Sequence, residues 1–198
     1  MANASTIRRQ VSGTQQLTLA PISNPGTTET NFALNNNALT LSGGGVIPLS
    51  AGVTGLYAGT GQVLHIRANG VYSGVTGGTS TVDVKVYEVP AAVVAAGLSQ
   101  TSQASFNKLA DTGPKGAANA AGSFAVDVRI QLDASGNLSG EFQAYVDGAA
   151  VVAPTVISSS VTGLAGEVDL NFVASVTLGG AEPSTSVITL TEFAIDLE

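Results

Sequence analysis

The chain has 198 residues, 44% of them hydrophobic and 11% charged, and its seven basic and fourteen acidic side chains give a formal net charge of −7. That length fits one all-β domain, and the basic residues are too scattered to form the clustered cationic face a phosphate backbone needs, which excludes nucleic acid as a partner. The lack of cysteine excludes a disulfide framework and a thiolate metal site, and 24 glycines with no tryptophan predict a fine-grained aliphatic core cut by many turns.

Residues 1–45 read as an extended N-terminal arm rich in Thr, Asn, Gln and Gly. The opening MANASTIRRQ has no apolar stretch of the kind a secretion signal needs, so the chain is expected to fold in a cytoplasm, with Arg8 and Arg9 a solvated basic pair. Leu17 with Leu19, and Leu39 with Leu41, give brief period-2 signals for short edge strands. Leu17, Leu19, Ile22, Phe32 and Leu34 are more than a solvating tail requires, and they form the candidate interface through which the arm docks on neighbours. Pro21 and Pro25 would limit how far such an arm pairs as a strand.

Residues 46–198 read as the sandwich domain. In QVLHIRANGVYSG, Leu64, Ile66 and Ala68 alternate with Val63, His65 and Arg67. STVDVKVYEV follows as a half-buried strand, with Val82, Val84 and Val86 on one face and Asp83, Lys85 and Tyr87 on the other. Pro90 opens PAAVVAAG, whose alanines predict one or two helical turns ended by Gly97, and QASFNKLAD reads as a second short helical or irregular piece. SFAVDVRIQL is the cleanest strand, with Phe124, Val126, Val128, Ile130 and Leu132 facing inward. DASGN at 133–137 turns it back, so 123–147 reads as a β-hairpin. EVDLNFVASVTLGG places Leu170, Phe172, Ala174, Val176 and Leu178 in register. In the last strand Val187, Thr189, Thr191, Phe193, Ile195 and Leu197 share one face and Glu192, Asp196 and Glu198 the other. About eight strands, one short helical insertion and no fixed-period repeat predict an all-β, two-sheet β-sandwich of jelly-roll-like type. No apolar run of about 18 residues suggests a membrane span.

Few residues carry a pattern that points to chemistry. His65 stands mid-strand beside Arg67 without a cysteine or a nucleophile-elbow motif, which suits a histidine that hydrogen-bonds locally. Glu167 with Asp169, and Glu192 with Asp196, share strand faces as glycosidase carboxylates could, yet alternate outward acids are what a solvated strand presents. Asp133 and Asn137 echo a calcium loop but lack its remaining ligands. Tyr57, Tyr72, Tyr87 and Tyr145 lie in separate segments and build no platform for a sugar, so they are expected at the core edge with their hydroxyls in water. The expectation is a protein that binds and self-associates, with no catalytic, cofactor or metal residues.

At IRANGVYSG, VDVKVYEVPAAVVAAG, FNKLADTG and the closing DLNFVASVTLGGAEPSTSVITLTEFAIDLE, the chain resembles small structural proteins of tailed bacteriophages, above all head decoration, or cement, proteins. The resemblance covers roughly residues 45–198 and implies a compact β-rich fold, a homotrimer, and attachment to the major capsid protein on the outer surface of the virion after folding in the host cytoplasm. It implies no active site. The alternative is a receptor- or glycan-binding β-sandwich module of a fibre or surface protein.

Overall fold

Alternation of apolar and polar residues puts one face of each strand in a shared core, and the computed structural model shows where each strand finds its partner. It describes residues 21–23, 26–32, 47–50, 63–90, 92–93, 103–117, 119–132, 137–147, 149–157, 169–180 and 184–197. Among these residues there are twelve strands: β1 (Ile22–Ser23), β2 (Thr30–Asn31), β3 (Ile47–Ser50), β4 (Val63–Ser73), β5 (Thr81–Val89), β6 (Asn107–Asp111), β7 (Lys115–Gly116), β8 (Ala121–Leu132), β9 (Leu138–Val146), β10 (Ala149–Ile157), β11 (Asp169–Gly179) and β12 (Val187–Leu197).

They form two antiparallel sheets. The first runs β1-β12-β4-β8-β9-β10, and the second β2-β11-β5-β6, with β3 also on β11 and β7 also on β5. The strands that open the domain pair with those that close it, β4 with β12 and β5 with β11, the nested pairing of a rolled sandwich, while β8, β9 and β10 form a meander within the first sheet. The expected hairpin is present, in register from Phe124↔Val146 to Leu132↔Leu138.

One hydrophobic cluster joins the facing sides of the two sheets, with Leu64, Ile66, Val126, Val128 and Ile195 from the first and Val82, Val84, Val86, Phe172 and Val176 from the second. Burying such side chains stabilises by roughly 1.5–3 kcal/mol each and is the main term holding the sheets together. The core has a pinch at Gly70, which lies under the Phe124 ring and against the Thr189 carbonyl, where a Cβ would have no room.

Four sequence expectations change. QASFNKLAD is the expected short helical or irregular piece only at its start: a single 3-10 turn at Gln103–Ser105 leads into β6, which pairs with β5 and buries Leu109 and Ala110, so tertiary pairing overrides local propensity in the second half. The turns expected at PAAVVAAG are not among the changes: residues 92 and 93, the part described after Pro90, are helix, with the Val93 N–H donating to the Pro90 carbonyl at 2.8 Å, and Gly97 lies outside the described residues. Strand β5 is buried on both faces, because Tyr87 and Val89 pack with Phe106, Val173 and Val93 in a smaller cluster on the outer side. In β12 the core face does not keep one register. A bulge at Thr191 interrupts pairing with β4 between Leu190 and Glu192, so Ile188 and Leu190 face inward before it and Phe193 and Ile195 after it. Finally, the sandwich takes in part of the segment expected as an arm: β1 adds to the edge of β12, β2 to the edge of β11, and Ile22 and Phe32 are 3% and 1% exposed in the main core.

Candidate functional site

The polar chemistry collects on the outer faces of the two sheets. On the second sheet it centres on Glu29, carried over β5 and β11 by the turn that precedes β2. Its carboxylate accepts from Ser175 Oγ at 2.6 Å, from Tyr87 Oη at 2.6 Å and from Lys85 Nζ at 2.9 Å. Gln103 Nε2 donates to the Glu29 carbonyl and to Asn31 Oδ1, which ties the 3-10 turn to the same segment. Lys85 Nζ also lies 3.2 Å from Asp83 Oδ2, and Thr112 Oγ1 donates to Asp83 Oδ1.

This geometry sets opposite charge preferences on neighbouring carboxyls. Burial pushes the Glu29 carboxyl upward, but three donors and the Lys85 charge outweigh it and hold the group below its ordinary value. Burial raises Asp83, the Asp111 charge raises it further, and Lys85 offsets this only in part. Asp111 is also pushed up by burial, but Lys108 and the Gly113 N–H overcome that and keep it low. Lys85, though partly desolvated, is held charged by Glu29 and Asp83. The Tyr87 phenol is raised by burial and then by Glu29. The cluster spends its donors and acceptors on one another, and its action is to fasten residues 26–32 to the sheet.

The outer face of the first sheet is open and ordered in rows, because cross-strand neighbours stand side by side. One row runs Ala194, Arg67, Asp127, Gln143 and the next Asp196, His65, Arg129, Glu141. A diagonal pair links the rows, His65 Nε2 to Asp127 Oδ1 at 2.8 Å, and another joins the first row to Glu192, which stands opposite Asn69, through Arg67 Nη1 to Glu192 Oε1 at 3.1 Å. Asn69 Nδ2 donates to Glu192 Oε2 at 2.6 Å. Asp127, Arg129, Glu141, Phe142 and Gln143 line a shallow groove of about 150 Å³. Arg129 and Glu141 are exposed and make no ion pair among the described residues.

Where the strands end, Tyr72 Oη donates to Asp147 Oδ2 at 2.6 Å and the Ser123 N–H to Asp147 Oδ1 at 3.2 Å. Asp147 adopts a left-handed backbone (φ 55°), and Gly122 leaves the space that its carboxylate and the Tyr72 ring occupy. Burial and then the carboxylate raise the Tyr72 phenol above its ordinary range.

His65 makes the local hydrogen bond the sequence suggested, and Glu192 is engaged by Arg67 and Asn69. Of the candidate interface residues, Ile22 and Phe32 serve this chain's own core, while Leu17, Leu19 and Leu34 lie outside the described residues, as do Glu167, Asp133 and Tyr57. Tyr72 and Tyr87 do not place their hydroxyls in water: both are buried, and both donate to carboxylates. Glu29 was missed because a lone acid in a polar segment carries no mark of the three donors waiting on distant strands. Among the described residues no group of three or more His, Cys, Asp or Glu could hold a metal ion, and no helix is long and apolar enough to cross a membrane. No protein-family model matches the chain, and no curated protein matches it in sequence.

Proposed function

We propose that this chain is a structural virion protein that binds the outer surface of a tailed-phage capsid, joins copies of itself as a trimer, and acts without catalysis. The observation that carries the reading is how the N-terminal part is used: Ile22–Ser23, Thr30–Asn31 and Ile47–Ser50 are laid as short strands on the edges of β12 and β11. A fold that fastens its own extended segments by strand addition has the means to fasten a neighbour's. The sequence resemblance to cement proteins supports the same reading. Its test is co-sedimentation of the purified protein with isolated shells lacking a decoration layer, read as saturable binding at a fixed ratio per capsid subunit. Binding no greater than that of an unrelated acidic protein would overturn it.

A second reading, a glycan- or receptor-binding module, is favoured by the groove lined by Arg129, Glu141 and Gln143, where the exposed Arg129 and Glu141 side chains could meet a polyhydroxylated ligand. Glycan-array binding abolished by Arg129→Ala, with shell binding absent, would select it over the first.

A further inference from the structure

We infer that the outer edge of β12 from Glu192 to Leu197 is the docking site for the N-terminal segment, residues 1–20, of a second copy of this chain. The inference rests on the self-assembling reading above and names the contact that would join the copies.

Strand β12 pairs with β4 on one side along its length, but on the other side only with β1, at Ile22↔Ile188 and Ser23↔Val187. Beyond Ile188 that outer edge has no strand partner among the described residues. An open row of N–H and C=O groups is a template for an added strand.

Continuing the observed register would set Pro21 opposite Thr189 and the next residues opposite the bulge at Thr191. Proline has no N–H to give the ladder, and the bulge bends the strand it would follow. Both features work against a regular ladder opposite residues 189–191, and both lie before Glu192, where regular pairing with β4 resumes. Twenty extended residues reach about 66 Å, while a domain of this size has a radius of gyration of about 16 Å. The segment is long enough to reach a neighbour.

Charge favours the same occupant. Residues 1–20 contain Arg8 and Arg9 and no acid, a net charge of +2, so the rest of the chain carries −9 to make the total of −7. The edge strand includes Asp196, with Glu198 after it in the sequence, and also Glu192, which already pairs with Arg67. A basic segment with Leu17 and Leu19 suits an acidic edge of another copy better than a second acidic edge would.

The natural absence of cysteine makes the contact readable. Single variants Leu17→Cys, Thr18→Cys and Leu19→Cys are each mixed with an equal amount of Ala194→Cys, oxidised, and run without reductant; each pair is also built into one chain. The expected result is a two-chain disulfide species in at least one mixture. Removal of residues 1–20 should leave the circular dichroism spectrum and melting temperature unchanged while weakening self-association by on the order of tenfold or more, and about 0.5 M salt should weaken it in the full chain. Cross-linking only within single chains of the double variants, no cross-link in any mixture, or equal association with and without residues 1–20 would overturn the inference. Because no capsid is present, the two readings fail separately: shells decorated by a chain that shows no exchange sink only this contact, and exchange without shell binding sinks only the capsid reading.

Discussion

Replacing Phe32 with alanine tests whether the segment that composition marks as an arm is structural. Phe32 is 1% exposed and belongs to the main core cluster. Removing a buried phenyl ring loses its transfer free energy and leaves a cavity, together about 3–5 kcal/mol. For a chain of this size 1 kcal/mol moves the melting midpoint by about 2–4 °C, so the drop should be roughly 6–20 °C. Urea denaturation followed by circular dichroism measures the free energy, and a thermal melt checks it. Val71→Ala, at an exposed hydrophobic residue (45%), is the control and should change little. A Phe32→Ala loss below about 1 kcal/mol would show that residues 26–32 are not part of the folded unit and would undo the assignment of Ile22 and Glu29 with it.

Glu29→Gln should cost about 1.5–3 kcal/mol at pH 7, because charge-assisted hydrogen bonds from Lys85, Tyr87 and Ser175 are weakened together. The folded carboxyl lies below its ordinary value of 4.5, so its contribution is full above that pH, is lost as pH falls through the folded pKa, and the two proteins should converge in acid. Asp83→Asn should behave differently: the folded carboxyl lies above its ordinary value of 3.8, so ionising it opposes folding at neutral pH, and with Thr112 still able to donate to the amide oxygen the change at pH 7 should stay within about 1 kcal/mol. Stability profiles of both variants from pH 3 to 8 check the two signs. Gly122→Ala, whose Cβ would strike the Asp147 carboxylate and the Tyr72 ring, should lower stability by about 1–3 kcal/mol in the same assay.

The strands with one buried face were legible because a period of two leaves no ambiguity about which side chains go inward, as Leu64, Ile66 and Ala68 in β4 and Phe124 to Ile130 in β8 show. Local pattern failed where a distant element decided the outcome. Strand β6 was hidden in a sequence of moderate helical character, and its strand state comes from pairing with β5. The bulge at Thr191 was invisible because Thr189 and Thr191 fit either face of a strand, and only the fixed positions of Ile188 and Phe193 in the core reveal the extra residue. Of the polar sites, the His65 contact could be anticipated in kind but not in partner, since Asp127 is 62 residues away. The Glu29 cluster joins residues up to 146 apart, a distance no local pattern spans.

The most direct test of the central claim is cryo-electron microscopy of shells incubated with the purified protein. Added density is expected on the outer surface at threefold or quasi-threefold positions, into which three copies of the two-sheet sandwich fit. Shells that remain bare at saturating protein, or density confined to a tail or fibre, would contradict it.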